Sequence, residues 1–159
     1  MFGTIDYVVA NPTTFIKYNS MNYDWYYSGN TSTDNTRWQS SKGLYDPCPP
    51  GWRIPDGGNT GVWAKAAGAD SFSYTWDATK KGIDFSGKFG NYNAIWYPAA
   101  GCLSDGDASL DNVGVRGYWW SCTTSDFYAC SLGLDSYGSV YTSNNYSRAY
   151  GRSVRCFRQ

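Results

Sequence analysis

Small, turn-forming and β-forming residues dominate this chain, whereas strong helix formers are scarce and Glu is absent. A chain rich in Gly, Ser, Thr, Asn and Tyr favours short strands joined by many turns. Two segments have helical character. Residues 11–16 could open a helical turn, with Asn11 or Thr13 as the cap and Pro12 tolerated at the first position. Residues 60–68 offer Thr60 as a cap, an Ala-rich body with Val62 and Ala66 on one face, and Gly68 as a stop. We therefore predict an α+β fold made mostly of short antiparallel strands, with one or two short helices and long loops.

Aromatic residues make up 19% of the 159 residues, with eight Trp, 15 Tyr and seven Phe. Large rings bury much apolar area per residue, so a core can form although only 42% of the residues are hydrophobic. This length fits a single domain over residues 1–159, with residues 1–44 as an N-terminal extension packed on it. We expect Trp52, Trp63, Trp96 and Trp119 to build the core.

The last third of the chain has the clearest strand pattern. We predict strands over residues 118–122, 127–134, 139–142 and 153–158, because these segments are β-prone or alternate between two faces. Residues 135–138 are predicted to form the turn between the second and third of these strands. In the second of these strands Cys130, Leu132 and Leu134 share one face. Residues 70–101 read as loops and short strands. The scaffold of the last third would come from Trp119, Trp120, Val154 and Cys156.

Residues 117–159 also have the composition of a binding surface, concentrated between residues 118 and 152. Tyr supplies a large amphipathic contact area with few rotors to freeze, and Ser, Gly and Asn adapt their hydrogen bonding. An ordinary Tyr- and Ser-rich surface is the alternative. The predicted ligand-binding residues are Tyr128, Ser131, Gly133, Asp135, Tyr137, Tyr141, Asn144, Asn145, Tyr146 and Tyr150.

The charge balance indicates which partners to expect. Thirteen Lys and Arg balance 13 acidic residues, which gives no reason to expect nucleic acid or anionic lipid as a partner. Arg148, Arg152, Arg155 and Arg158 cluster near the end and are expected to be solvated strand-edge charges. No stretch is apolar enough to insert into a membrane, and the first residues lack the regions of a signal peptide. Either an export signal has been removed, or the protein reaches its site on a particle such as a virion.

Catalytic and metal chemistry is limited by the residue types present. The absence of His excludes Ser-His-Asp and Cys-His catalytic units, and neither phosphate-binding glycine motifs nor an obvious pair of catalytic Asp residues occurs. We predict no catalytic residues and no cofactor. Asp105, Asp107, Ser109 and Asp111 resemble the start of a calcium loop, but Leu110 and Arg116 replace its Gly and Glu. A plain surface turn is favoured there, with a looser calcium site near Asp105, Asp107 and Asp111 as the alternative.

Five cysteines are an odd number and many for a reduced compartment. They form no CxxC motif, and there is no His to complete a Cys/His zinc site. Disulfides in an exported or particle-borne protein are favoured over buried free thiols. Cys122 and Cys130 either face each other across a hairpin that turns near Asp126, as a second disulfide, or are unrelated thiols in neighbouring strands.

One segment is specific enough to suggest a family. Residues 45–55, YDPCPPGWRIP, resemble a signature of surface proteins from gut bacteria and their phages, which include fimbrillin C-terminal domains and the major paralogous domain. Further similar segments follow in the same order at 97–101, 117–121 and 151–156. Residues 11–16 and 23–27 upstream also resemble this group. The resembling segments span most of the chain.

The resemblance implies a C-type-lectin-like fold, related to that of formylglycine-generating enzymes. In such a fold Cys48 would pair with Cys156 on the last strand. The catalytic cysteines of formylglycine-generating enzymes have no counterpart motif here, so enzyme activity is not carried over. The calcium motifs of sugar-binding lectins are also missing, so calcium-dependent sugar binding is not implied.

Some members of this fold are variable proteins of diversity-generating retroelements. In these, reverse transcription randomises adenines, mostly in Asn codons, which never yields Trp, Met, Lys, Gln or Glu. Residues 121–158 contain none of these five types. The positions expected to vary by this resemblance are Cys122, Cys130, Ser131, Gly133, Tyr137, Tyr141, Asn144, Asn145, Tyr146 and Tyr150.

The sequence thus predicts a non-enzymatic ligand-binding module, displayed outside the cell, on a cell surface or on a virion, with a diversified C-terminal face. Its partner would be a protein or glycan on a host or neighbouring cell surface. The alternative is a fimbrial or cell-surface structural subunit or adhesin. An enzyme of the formylglycine-generating type is the least favoured hypothesis.

Overall fold

The computed structural model describes residues 4–17, 23–26, 34–67, 71–86 and 95–159. In chain order the helices and strands are α1 (Ile5–Ala10), β1 (Trp52–Arg53), α2 (Val62–Ala67), β2 (Ser71–Ser73), β3 (Trp76–Asp77), β4 (Gly82–Asp84), β5 (Trp96–Pro98), β6 (Cys102–Leu103), β7 (Leu110–Asp111), β8 (Arg116–Ser125), β9 (Tyr128–Asp135), β10 (Ser139–Ser147) and β11 (Phe157–Arg158). The fold is α+β with mostly short antiparallel strands, as predicted.

A four-stranded antiparallel sheet in the order β2-β10-β9-β8 is the centre of the molecule. The β8–β9 hairpin turns at Asp126, which adopts a left-handed conformation, and the β9–β10 turn contains Gly138 at φ 81°. A three-stranded sheet, β3-β4-β5, and two strand pairs, β1-β11 and β6-β7, surround it. The predicted strands over 118–122, 127–134 and 139–142 are confirmed, and the last continues to Ser147. At the chain end only Phe157–Arg158 forms a strand.

The core lies between the central sheet, the three-stranded sheet and α2. Trp63, Phe85, Tyr97, Trp119 and Leu132 are among its buried members, and the Tyr97 and Trp119 rings pack edge to face with centroids 4.7 Å apart. The predicted core positions Trp63 and Trp119 are confirmed, and Trp96 is half-buried. The prediction for Trp52 is wrong: it is 43% exposed, because β1 pairs only with β11 at the molecular surface. Val154 is also exposed.

The helix predicted to open near Asn11 instead ends there. Thr4 caps α1 by accepting from the backbone N–H of Tyr7, and the Asn11 side chain donates to the carbonyl of Tyr7. Asn11 is therefore a C-terminal cap. The second predicted helix is confirmed as α2, in which Trp63 and Ala64 are buried and Val62 packs partly buried against the core.

A disulfide joins Cys48 to Cys156 and closes a separation of 108 residues. Cys102, Cys122 and Cys130 are free and buried, so the possible second bridge between Cys122 and Cys130 is wrong. A register shift explains this, because Trp120 pairs with Ser131 and Thr124 with Ala129. The Cys122 thiol then lies 3.2 Å from Oδ1 of Asp56, whereas the Cys130 thiol contacts the carbonyl oxygen of Thr142.

Buried charges fasten the described part of the N-terminal extension to the end of the sheet. Arg148 is only 2% exposed and lies 3.8 Å from the Asp24 carboxylate. It donates to the carbonyl oxygens of Asp34 and Asp126 and to the Asn35 side chain. The backbone N–H of Arg148 donates to the carbonyl of Tyr23. Neither helix in the described residues is long and apolar enough to cross a bilayer.

Candidate functional site

The two faces of the central sheet follow from the alternation of side chains along its strands, which is interrupted by register shifts after Trp120 and after Tyr141. Residues directly opposite each other on paired strands point to the same face. Trp119, Leu132 and their neighbours face the core. The opposite side, here called the outer face, carries Tyr118, Gly133 and Tyr141 as one cross-strand row and Trp120, Ser131 and Asn144 as the next.

A polar pocket of ≈ 230 Å³ opens on the outer face where Gly133 separates the rings of Tyr118 and Tyr141. We call it the Gly133 pocket. A Cβ atom at position 133 would lie 2.6 Å from the Asn144 amide nitrogen and 3.8 Å from the Tyr118 ring. The missing side chain therefore creates the floor. The lining residues are Arg116, Tyr118, Gly133, Leu134, Asp135, Tyr141, Asn144 and Tyr146.

The rim of the Gly133 pocket carries one charge of each sign. A hydrogen bond to Tyr118 raises the pKa of Arg116, and Asp135 adds a smaller contribution in the same direction. Burial raises the pKa of Tyr118, which stays protonated at neutral pH. Oδ1 of Asp135 accepts from the backbone N–H groups of Tyr137 and Ser139, at 3.0 and 3.1 Å. The pocket thus offers a guanidinium, a carboxylate, an amide and phenol groups over a small area.

Beside the pocket, four aromatic rings surround the guanidinium of Arg152, and we call them the Arg152 cage. Cζ of Arg152 lies 3.7 Å from the ring centre of Tyr146. Its distances to the ring centres of Tyr118, Trp120 and Tyr150 are 4.5, 4.8 and 5.2 Å. Its Nη1 donates to Oγ of Ser131 at 2.5 Å, and Ser131 donates to the carbonyl of Asn144. Burial lowers the pKa of Arg152. The cage braces one wall of the Gly133 pocket, because Tyr118 and Tyr146 belong to both.

The structure brings together half of the sequence-predicted binding residues. Gly133, Asp135, Tyr141, Asn144 and Tyr146 line the Gly133 pocket. Tyr150 lies beyond them, with its ring edge to face against that of Tyr146.

The remaining predicted residues lie elsewhere. Ser131 is buried under Arg152 and presents no side chain to solvent. Tyr128 stacks on Tyr23 at the opposite end of β9. Tyr137 is 89% exposed in the β9–β10 turn. Asn145 is exposed but lies on the opposite side of its strand from Asn144.

Sequence reasoning missed Arg116, Tyr118 and Arg152 as site residues. Arg116, Tyr118 and Trp120 have the spacing of one strand face, which could have placed the first two beside the polar residues of β9. The prediction of solvated charges at the C-terminal arginines is wrong for three of them. Arg148 and Arg152 are enclosed as described above, and Arg155 donates to the carbonyl of Trp96 at 2.7 Å. Only Arg158 is exposed.

The possible calcium site is not formed. Among the described residues no three His, Cys, Asp or Glu side chains lie together as metal ligands. The carboxylates of this loop are engaged locally: Asp107 accepts from the amide and hydroxyl of Ser109, and Asp111 accepts from the Asn112 side chain. These contacts belong to tight turns, in agreement with the surface turn that the sequence favoured for this loop.

A larger pocket of ≈ 330 Å³ lies away from the outer face, between residues 36–46 and Cys122. Burial and the neighbouring Asp56 raise the pKa of the Cys122 thiol to about 12, so it is not a nucleophile at neutral pH. The Asp56 carboxylate is held by Arg53, with 2.7 Å between Oδ2 and Nη2. This pocket has apolar walls and lacks a reactive group. The Gly133 pocket, with its convergent polar groups, is therefore the candidate binding site.

Comparisons with models of protein families, with characterised proteins and with solved structures found no match to this chain.

Proposed function

We propose that this protein is a ligand-binding module of the C-type-lectin-like class, displayed outside the cell on a phage particle or a bacterial surface. It binds a protein or glycan on a host or neighbouring cell through the outer face of β8, β9 and β10. The observation that carries the proposal is the convergence of Gly133, Asp135, Tyr141, Asn144 and Tyr146 on one polar pocket. All five are among the binding residues predicted from the composition of the segment and from the family resemblance.

The chemistry of the pocket supports binding rather than catalysis. Tyrosine rings provide contact area, and the amide, guanidinium and carboxylate provide directional hydrogen bonds. The Arg152 cage keeps Tyr118 and Tyr146 in place before a ligand arrives, which reduces the entropy lost on binding. The Cys48–Cys156 disulfide is compatible with an extracellular location.

Binding to intact cells tests the proposal directly. Fluorescently labelled protein is incubated with a panel of gut bacteria, and bound fluorescence is measured by flow cytometry. Saturable binding to at least one strain is expected. The double variant Tyr141→Ala/Asn144→Ala should reduce this binding by about tenfold or more, since both side chains line the pocket. The fill-in variant Gly133→Leu should act in the same direction.

The control removes the same residue types elsewhere. Tyr45 and Asn59 are exposed and do not line the Gly133 pocket, so Tyr45→Ala/Asn59→Ala should bind like the wild type. Equal binding by both double variants would contradict the assignment of the site. Concentration-dependent polymers in size-exclusion chromatography, without cell binding, would support the alternative of a structural surface subunit.

Diversification by a retroelement is a separate part of the proposal. It requires a second DNA copy of the C-terminal coding segment that differs only at adenines, close to a reverse transcriptase gene. Sequencing of the gene neighbourhood should reveal both. Their absence would remove the claim of diversification and leave the binding site untouched.

A further inference from the structure

A third cavity, of ≈ 310 Å³, lies where the N-terminal extension meets the end of the central sheet. We call it the N-terminal pocket. Phe15 and Ile16 of the extension contribute one part of the wall, and Trp25, Trp38 and Trp120 contribute aromatic surface. The Trp38 and Trp120 rings pack edge to face with centroids 5.7 Å apart. The volume is at the lower end of the range of about 300–1,000 Å³ for small-molecule sites.

Arg148 and Arg152 are the charged side chains that line this apolar cavity. The two are paired very differently. Arg148 lies against the Asp24 carboxylate and donates to several carbonyl oxygens. Arg152 has no ion pair with any described residue. The Nε atoms of both arginines are buried without a hydrogen-bond partner, so the ion pair is what distinguishes the two side chains. The rings of the Arg152 cage stabilise its charge but do not neutralise it.

An enclosed guanidinium without a carboxylate partner gains most from an anion delivered to it. The planar guanidinium matches a carboxylate, with which it can form two parallel hydrogen bonds. The wall of Trp and Phe rings favours an aromatic or aliphatic body over a polar one. A small organic acid with one carboxylate and one apolar group satisfies both requirements at once.

We propose that the N-terminal pocket binds a small apolar carboxylic acid, with an aromatic ring against Trp25, Trp38 and Trp120 and the carboxylate on Arg152. This site is distinct from the Gly133 pocket and does not depend on the function proposed for that pocket.

Phenylacetate and its neutral amide, phenylacetamide, are matched probes, because they share the ring and differ in the charge. Isothermal titration of the whole protein is expected to show saturable binding of phenylacetate. Phenylacetamide should bind about tenfold more weakly or worse, since a charge-assisted hydrogen bond to Arg152 is lost. Equal affinity for the two probes, or no saturable binding of phenylacetate to the folded protein, would overturn the proposal.

Variants locate the binding. Arg152→Gln should weaken phenylacetate by about tenfold or more, whereas Arg158→Gln should not change it, because that exposed arginine does not line the cavity. Thr14 is exposed and lines the cavity, so Thr14→Trp blocks it without disturbing the core. Loss of binding in Thr14→Trp supports the assignment even if Arg152→Gln fails to fold. Unchanged affinity in a folded Thr14→Trp would contradict it.

Discussion

The two faces of β8, β9 and β10 are built from alternating residues of the same strands, yet different interactions hold their side chains in place. On the inner face Trp119, Leu132, Leu134 and Val140 pack into one apolar core. On the outer face there are two zones. Near Arg152 the rings and Ser131 are enclosed around a cation, whereas near Gly133 the side chains surround a pocket and reach solvent.

This difference separates the two roles, folding and recognition, that we propose for one small sheet. Since the apolar packing lies on the inner face, the zone around Gly133 on the outer face, here called the open zone, does not have to support the core. The Arg152 zone is intermediate, because its side chains are buried but polar. Substitutions should therefore lower the free energy of unfolding most on the inner face, less in the Arg152 zone and least around the Gly133 pocket.

The largest effect is expected on the inner face. Leu132 is 0% exposed, so Leu132→Ala leaves a cavity and should lower the free energy of unfolding by about 2–5 kcal/mol. Urea denaturation followed by tryptophan fluorescence measures this change. A loss below about 1 kcal/mol would mean that the inner face is not the main support of the sheet.

An intermediate effect is expected in the Arg152 zone. Ser131→Ala removes the hydroxyl that accepts from Arg152 and donates to the Asn144 carbonyl. Hydrogen bonds to charged groups contribute about 1.5–3 kcal/mol, so the free energy of unfolding should fall by about 2 kcal/mol. Ser136→Ala, in the half-exposed β9–β10 turn, is a suitable control and should change it much less. Equal losses in the two variants would show that Ser131 does not support the cage.

Alkaline pH should lower the free energy of unfolding, because the buried thiols ionise more readily in the unfolded chain. Cys122 has a pKa of about 12 in the folded protein, against about 8.5 in an unfolded chain. Because the folded pKa is the higher one, the protonated Cys122 thiol favours the folded state. Its contribution to the free energy of unfolding is complete below about pH 8.5 and is lost as the pH rises towards about 12. Burial raises the pKa of Cys130 and Cys102 in the same direction.

Thermal unfolding between neutral and alkaline pH checks this prediction. The melting temperature of the wild type should fall above about pH 8.5. Cys122→Ser lacks the titrating thiol, so its melting temperature should fall less steeply over the same interval. Parallel pH profiles for the two proteins would contradict the role assigned to Cys122.

The smallest effect is expected at the open zone. Tyr141 is 41% exposed, and its ring lines the Gly133 pocket rather than the core. Tyr141→Ala should therefore change the free energy of unfolding by no more than about 0.5 kcal/mol, as is usual at the surface. A loss of about 2 kcal/mol in urea denaturation would show that this ring is structural.

The sequence predicted the strands of the central sheet because their signals are local. The alternation of Cys130, Leu132 and Leu134 identifies an inner face, and Asp135 and Gly138 mark the turn that follows. Helix α1 was missed, since its six residues include several of low helix propensity and its boundaries depend on Thr4 and Asn11 as caps.

The site was predicted only in part, because the Arg152 zone depends on contacts between distant parts of the chain. Ser131 alternates like a surface residue, yet Arg152, 21 residues later, covers it. Nothing local marks Arg152 as the centre of four rings. Gly133 was predicted from the family resemblance and from the composition of its segment. Its role as the pocket floor follows from the register that sets Tyr118 and Tyr141 on either side.

The central claim is that one set of strands carries a supporting face and a face free to vary. Saturation mutagenesis of residues 116–147, with resistance to a protease as the measure of folding, tests it without knowledge of the ligand. We expect most substitutions at Tyr141, Asn144 and Tyr137 to keep wild-type resistance, and most at Leu132, Leu134 and Val140 to lose it. Equal intolerance at both sets of positions would contradict the account.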